Sequence, residues 1–308
     1  MSTSLRIITT LTLVLNLLFQ SSTCGDLRYL SVNATRRVRG GIPVNLGELP
    51  YQIAFKARHD KDPKRFYTFC GGAIIGKIKI LSAVHCFVGE TTRFCQRHHK
   101  YVRSLQDKYA VAGTIKNVVY FEEEEYEQWR AIRSVTYPKN YKFPDNDLAV
   151  VIVTDPFKFN DFVKPIKIDE IHRDYDGISL VSGYGEISNT IGSDRLLKAN
   201  LVLFPYDYCS KLNPRKEMAK LICTSLIGAD IGRGDSGGPL IYAQHVSDMR
   251  KNDRRILIGI ASGTIGDRNS VFIRLSSYQG GLVGVKNAVC RGLVRKPDHA
   301  DRWNTRYR

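Results

Sequence analysis

The stretch Gly232-Arg233-Gly234-Asp235-Ser236-Gly237-Gly238-Pro239-Leu240 sets a serine between a carboxylate and two glycines. Glycine lets a backbone turn tightly and leaves room for a second molecule to approach. A serine held on such a turn can present its hydroxyl outward, with neighbouring backbone N–H groups aimed at a reacting carbonyl oxygen. A short match of this kind also occurs on ordinary surface turns. Its meaning therefore depends on whether the rest of the chain supplies a base, an orienting acid and a binding pocket.

A serine hydroxyl is a weak nucleophile at neutral pH. It needs an adjacent base, commonly histidine, whose ring is oriented in turn by a carboxylate. Upstream stand His85, in Leu81-Ser82-Ala83-Val84-His85-Cys86, and Asp147, in Asp145-Asn146-Asp147-Leu148-Ala149-Val150. Around them run short β-rich stretches such as Tyr51-Gln52-Ile53-Ala54-Phe55, Ala149-Val150-Val151-Ile152-Val153, Ile178-Ser179-Leu180-Val181 and Ile256-Leu257-Ile258-Gly259-Ile260. Short strands separated by turn residues predict an all-β sandwich or barrel. A boundary near residues 154–165 divides these runs into two similar sets. A short helix fits within residues 206–219. A second helical stretch, residues 276–293, is weakened by Gly280, Gly281 and Gly284.

Four segments in order carry a resemblance to the chymotrypsin/trypsin family of serine endopeptidases. Cys70-Gly71-Gly72, Ala83-Val84-His85-Cys86, Asn146-Asp147-Leu148-Ala149-Val150 and Gly234-Asp235-Ser236-Gly237-Gly238-Pro239 are similar to that family's Cys-Gly-Gly, Ala-Ala-His-Cys, Asn-Asp-Ile-Ala-Leu and Gly-Asp-Ser-Gly-Gly-Pro. The likeness runs from Val38 to about residue 289. It implies an all-β fold of two six-stranded antiparallel β-barrels with a short C-terminal helix, and a site in the cleft between the barrels. It implies Ser236 as nucleophile, His85 as general base then acid, Asp147 as orienting carboxylate, and the N–H groups of Gly234 and Ser236 as the oxyanion hole. It further implies a protein or peptide substrate, disulfides Cys70–Cys86 and Cys209–Cys223, and no cofactor. The rival function is a protease-like regulatory or binding protein with little or no turnover.

Arg36-Arg37-Val38-Arg39-Gly40-Gly41 resembles the family's activation junction, although Arg39 stands where an apolar residue is usual. The resemblance implies cleavage after Arg37 by an activating protease, with the new α-amino group of Val38 inserting beside Asp235. Asp230, six residues before Ser236, matches the acid at the floor of the primary pocket in trypsin-like members, which implies cleavage after Arg or Lys. The pocket also departs from the family. Gly232 replaces a cysteine, and the position near Asp267 lacks its partner. Ser262-Gly263-Thr264 replaces Ser-Trp-Gly, so the aromatic substrate platform is gone and Thr264 adds bulk at the mouth. Ser270 replaces a glycine, and Arg233 lies beside the site loop. A narrowed pocket preferring small residues is the alternative specificity.

The N-terminus reads as an export signal: Arg6, an apolar run over residues 7–19, then Ser22-Thr23-Cys24. The expected organisation is a signal peptide (residues 1–24), an activation propeptide (25–37), the protease domain (38–290) and a basic tail (291–308), in a secreted, extracellular, monomeric protein. Seven cysteines without a CxxC pair fit disulfides in an oxidising compartment better than a metal centre. The two disulfides leave Cys95 and Cys290 once Cys24 departs with the signal. The formal net charge of +16 concentrates in residues 93–108 and in the tail, which suits acidic glycans. Nucleic acid is excluded as a partner of an exported chain with no recognisable binding module, and no segment is long enough to be read as a membrane span. The acidic run Glu122-Glu123-Glu124-Glu125 reads as a solvated loop. Trypsins bind calcium near this part of the chain, but Lys116 falls near one acidic ligand position, and no metal is assigned.

Overall fold

The computed structural model describes residues 41–91, 99–120, 125–185, 192–212, 214, 217–224, 231–232, 234–243, 254–265 and 269–278. The expected signal peptide, propeptide and tail, Cys24, Cys95 and Cys290, residues 93–98 of the basic stretch, and the expected C-terminal helix beyond Tyr278 lie outside those residues.

Two closed six-stranded antiparallel barrels make up the fold. The first comprises β1 (Gln52–His59), β2 (Asp62–Gly76), β3 (Lys79–Ala83), β4 (Lys108–Ala112), β5 (Gln128–Thr136) and β6 (Leu148–Val153). The second comprises β7 (Gly177–Gly183), β8 (Leu197–Leu203), β9 (Leu221–Thr224), β10 (Pro239–Tyr242), β11 (Ile256–Ile265) and β12 (Asn269–Arg274). Round the first ring the neighbours run β1–β2–β3–β6–β5–β4 and back to β1. Round the second they run β7–β8–β9–β12–β11–β10 and back to β7. The two orders are the same, as expected from a boundary near residues 154–165. Closure leaves neither ring with an open edge. Short strands are appended outside: Ile42–Pro43 on β8, Val118–Tyr120 on β2 and, parallel, Lys167–Ile168 on β11. The expected helix is Tyr206–Leu212, with Asp207 in its first turn and Lys211 in its last, the charge order that its dipole favours.

Period-two alternation puts apolar side chains inward. On β8, Leu197, Ala199, Leu201 and Leu203 are buried between less buried neighbours. In the first barrel the ring of Phe87 meets Phe55 edge-on at 5.0 Å and Phe69 at 6.0 Å, the geometry aromatic pairs prefer. Cys70–Cys86 and Cys209–Cys223 are disulfide-bonded as expected, with Cα–Cα distances of 6.2 and 6.1 Å. Loops of this length contribute about 3 kcal/mol each in the chain-entropy account. The barrels are joined by buried polar bonds: Ser182 Oγ donates to Gln52 Oε1 at 2.7 Å, and the buried Arg255 donates to the carbonyl of Glu48 at 2.8 Å. Among the described residues, no helix is long and apolar enough to cross a membrane.

Lys56, on β1, is fully buried. Its Nζ donates to the carbonyls of Lys116 (2.7 Å) and Asn117 (2.8 Å) and to Thr68 Oγ1 (3.3 Å). The Lys56 amino group therefore already occupies the carbonyls of this loop, and the described residues here do not fit a calcium ion. Burial pulls the Lys56 pKa down to about 7; nearby Lys116 adds to the effect and Glu127 opposes it. The sign of the resulting pH dependence follows. Between the folded value of about 7 and the ordinary value of 10.5, the unfolded chain binds more protons than the folded one. Stability from this site is therefore full above the upper value and is lost as pH falls through about 7. Urea unfolding at pH 7 and pH 9 should show wild-type protein gaining about 2 kcal/mol more over that interval than Lys56→Met does. Equal gains in the two proteins would contradict the assignment.

Candidate active site

The register of the first barrel brings His85 and Asp147 together. On the β3–β6 ladder Ala83 faces Leu148, so Asp147 precedes the start of one strand where the chain turns out of the other. Val84–Cys86 form a 3₁₀ turn, fastened to β2 by the Cys70–Cys86 bond and to Asp147 by Val84 N–H donating to its carbonyl at 3.0 Å. Asp147 is completely buried. Its Oδ1 accepts from His85 N–H at 2.9 Å, and its Oδ2 lies 2.7 Å from His85 Nδ1. A third bond crosses from the second barrel: Ser262 Oγ, on β11, donates to Oδ2 at 2.6 Å. A carboxylate on Nδ1 keeps the proton there and leaves Nε2, on a ring about one-quarter exposed, as an acceptor facing outward. Asn146 has φ +56°, a conformation asparagine tolerates better than most residues. Its side chain is held by Tyr278 Oη at 3.2 Å and the Asn140 carbonyl at 3.3 Å. Burial, then the charge of Asp147, pushes the Tyr278 hydroxyl up, so it remains a donor.

Ser236 sits on a turn that both barrels grip. Gly234 and Gly237 have φ of +98° and +78°. A side chain on Gly237 would also run into Ser82 Oγ and the Gly71 carbonyl of the first barrel. The Ser236 carbonyl accepts from Gly71 N–H at 2.7 Å, and Gly237 N–H donates to the Ala261 carbonyl at 2.7 Å. Within this turn, the N–H groups of Asp235, Gly237 and Gly238 are all spent on backbone carbonyls. Those of Gly234 and Ser236 make no hydrogen bond among the described residues, leaving two donors on either side of the Asp235 amide.

Asp235 is completely buried; its carboxylate accepts from Gly185 N–H at 2.8 Å and Gly232 N–H at 2.7 Å. Gly183 and Gly185 are glycines because a Cβ at either would collide with that carboxylate. Sequence reading did not single them out, although a Gly-X-Gly pair after a strand is a signal for close approach. Arg37 and Val38 lie outside the described residues, as do Asp230, Arg233 and Asp267. Thr264 is exposed on β11 and faces Ser270 across the ladder. Ser270 is fully buried, and its hydroxyl accepts from Ile231 N–H at 3.3 Å, so it holds the segment that follows residue 230. Ser262, expected to line the substrate site, commits its hydroxyl to Asp147. Cys70, Cys86 and His85 lie close enough together to suggest a metal site, but both sulfurs are consumed in the disulfide.

The trypsin family model matches residues 38–280. The chain belongs to the trypsin family. It is 28% identical over 222 residues to an ovochymase of Halocynthia roretzi, a match that covers 69% of this chain and 13% of that protein. It is 28% identical over 218 residues to trypsin zeta of Drosophila erecta, covering 67% of this chain and 72% of the relative. A CLIP domain-containing serine protease HP8 of Bombyx mori is 28% identical over 221 residues, covering 67% of this chain and 57% of the relative. Membership of this family makes the chain a serine protease in general class.

Proposed function

We propose that the chain is a secreted serine endopeptidase made as a zymogen, acting as a monomer and hydrolysing peptide bonds after Arg or Lys through an acyl-enzyme. The observation that carries this reading is His85 fixed on a buried, triply bonded Asp147, beside a serine turn with two unspent N–H donors. Ser236 Oγ attacks the scissile carbonyl carbon while its proton passes to His85 Nε2. The oxygen gains charge between the N–H groups of Gly234 and Ser236; such a donor contributes about 3–4 kcal/mol to the transition state. Asp147 remains ionised and stabilises the imidazolium. The C–N bond then breaks, and His85 gives the proton to the leaving amine. Water repeats the sequence on the ester and frees Ser236.

Cleavage after Arg37 supplies the Val38 ammonium to Asp235, whose burial makes a cationic partner valuable. Asp230 is the acid that selects a basic side chain in this reading, and the basic loop and tail attract acidic glycans. The protein is tested by fluorophosphonate labelling before and after cleavage at Arg37. Labelling should appear only after cleavage, and the labelled form should hydrolyse Arg or Lys substrates ahead of Ala or Val ones. Correctly cleaved, folded protein that takes no label would replace this reading with that of a protease-like binding protein.

A further inference from the structure

A chain of hydrogen bonds leads from the first barrel to the Gly234 peptide, and it starts at Asn117. This residue ends the loop after β4, just before the short strand Val118–Tyr120 that is appended to β2. Its backbone carbonyl accepts from Lys56 Nζ at 2.8 Å and from Thr68 Oγ1 at 2.9 Å, so its place is fixed on β1 and β2. Its backbone N–H donates to the Asp194 carbonyl at 2.9 Å. The side chain makes the rest of the crossing. Nδ2 donates to the carbonyls of Ser193 at 2.5 Å and Tyr184 at 3.2 Å, and Oδ1 accepts from Thr68 N–H at 3.3 Å. Tyr184 and Ser193 are both buried. Gly185 is held between them: it follows Tyr184 in the chain, and its carbonyl accepts from Ser193 N–H at 3.1 Å. The Gly185 N–H donates to Asp235 Oδ1 at 2.8 Å. A Cβ on Gly234 would lie 3.0 Å from Gly185 Cα, so the Gly234 backbone rests directly on Gly185.

We propose that Asn117 is a positioning residue for the oxyanion hole. With one carboxamide it holds the Tyr184 and Ser193 carbonyls, keeps Gly185 seated against Asp235 and Gly234, and so aims the Gly234 N–H at the attacked carbonyl oxygen. This inference rests on the endopeptidase reading. The chemistry of the side chain suits the task. A carboxamide carries two donors on one nitrogen and an acceptor beside it, which matches two carbonyls on one side and the Thr68 N–H on the other. Aspartate has the same shape but offers only acceptors, and it would face two carbonyl oxygens with no proton between. A serine keeps one donor. A buried carbonyl that loses its donor carries the full cost of its desolvation, and it relieves that cost by turning away. Here such a turn moves Gly185 with it. An oxyanion donor works only when it is already in place, within a few tenths of an ångström of its working distance. A small displacement of Gly185 therefore reaches the chemical step while leaving the rest of both barrels intact.

The test uses the protein cleaved after Arg37, one fluorogenic peptide amide ending in Arg, and two inhibitors. A peptide argininal adds Ser236 Oγ to its aldehyde carbon and places the resulting oxygen in the oxyanion hole; benzamidine fills the primary pocket and forms no such oxygen. Asn117→Asp should lower kcat about 10-fold with KM within about 2-fold, less than the 10²- to 10³-fold loss when a donor is removed outright. The argininal should bind about 10-fold more weakly, in step with kcat/KM, while benzamidine affinity stays within about 2-fold. Thr68→Val removes a bond to the carbonyl of the same Asn117 but leaves Nδ2 in place, so it should leave kcat within about 2-fold. If Asn117→Asp does not fold, Asn117→Ser, with one donor kept, should show the same split between the inhibitors at about 3-fold. Wild-type kcat and argininal affinity in the folded variants, or equal weakening of both inhibitors, would overturn the proposal alone. Wild type that takes no fluorophosphonate label would overturn the endopeptidase reading and this inference with it.

Discussion

Ser236→Ala, in the protein cleaved after Arg37, should lower kcat for peptide hydrolysis by about 10⁶-fold, the scale typical of a serine–histidine–aspartate nucleophile. The fold should survive the change. The turn is held by Ser236 carbonyl with Gly71 N–H, Gly237 N–H with Ala261 carbonyl, and Gly238 N–H with Asp235 carbonyl, and none of these bonds uses Oγ. Thermal unfolding should therefore be nearly unchanged while turnover vanishes. Because nucleophile and base act in one step, adding His85→Ala should lower the rate by no more than about 10-fold further. Residual catalysis would come from the two N–H donors of Gly234 and Ser236, which the substitution leaves in place. Steady-state rates on one fluorogenic peptide, with active-site titration of the wild type, measure both effects. Ser236→Ala protein retaining more than about 1% of wild-type kcat would exclude Ser236 as the nucleophile.

The parts of the site legible in the sequence are those whose chemistry demands particular residues close together along the chain. The Asp235-Ser236-Gly237 turn needs a left-handed residue at Gly237, and no side chain fits there. The strands announced themselves as short β-rich runs between turn residues, and the boundary near residues 154–165 falls between β6 and β7. Features formed by contacts remote in sequence were hidden. Ser262 read as a wall of the substrate site, yet its hydroxyl is bonded to a carboxylate 115 residues away. Ser270 read as an obstruction, yet it anchors the Ile231 amide. Lys56 follows the Tyr51–Phe55 run with no signal of its own, and its burial depends on loop carbonyls 60 and 61 residues downstream. Phe143 lies in a turn with no periodic pattern, and its ring packs between His85 and a glycine on the other barrel. Long-range partners of this kind carry no local signature, because the side chain that responds is an ordinary one.

Asp147→Asn should reduce kcat/KM by about 10⁴-fold, the loss associated with this change in the same triad, without disturbing the fold. The bonds around the carboxylate determine why. Oδ1 accepts from the His85 N–H, and Oδ2 receives both His85 Nδ1 and Ser262 Oγ. An asparagine has one acceptor oxygen and one donor nitrogen. If its nitrogen took the Oδ1 place it would face the His85 amide, donor against donor, at 2.9 Å. The oxygen therefore stays there, and the NH₂ group takes the place of Oδ2. Ser262 accommodates it by rotating its hydroxyl to accept. His85 accommodates it by presenting Nδ1 as the acceptor, which moves the ring proton to Nε2. The nitrogen that must receive the Ser236 proton is then already protonated, and no carboxylate stabilises the imidazolium. Side chains of equal size fill the same buried space, so thermal stability should change far less than the rate. Nitrogen-15 chemical shifts of the His85 ring check the tautomer directly: the proton should sit on Nδ1 in the wild type and on Nε2 in Asp147→Asn. An unchanged tautomer accompanied by a rate within about 10-fold of wild type would mean that Asp147 holds the loop without orienting the base.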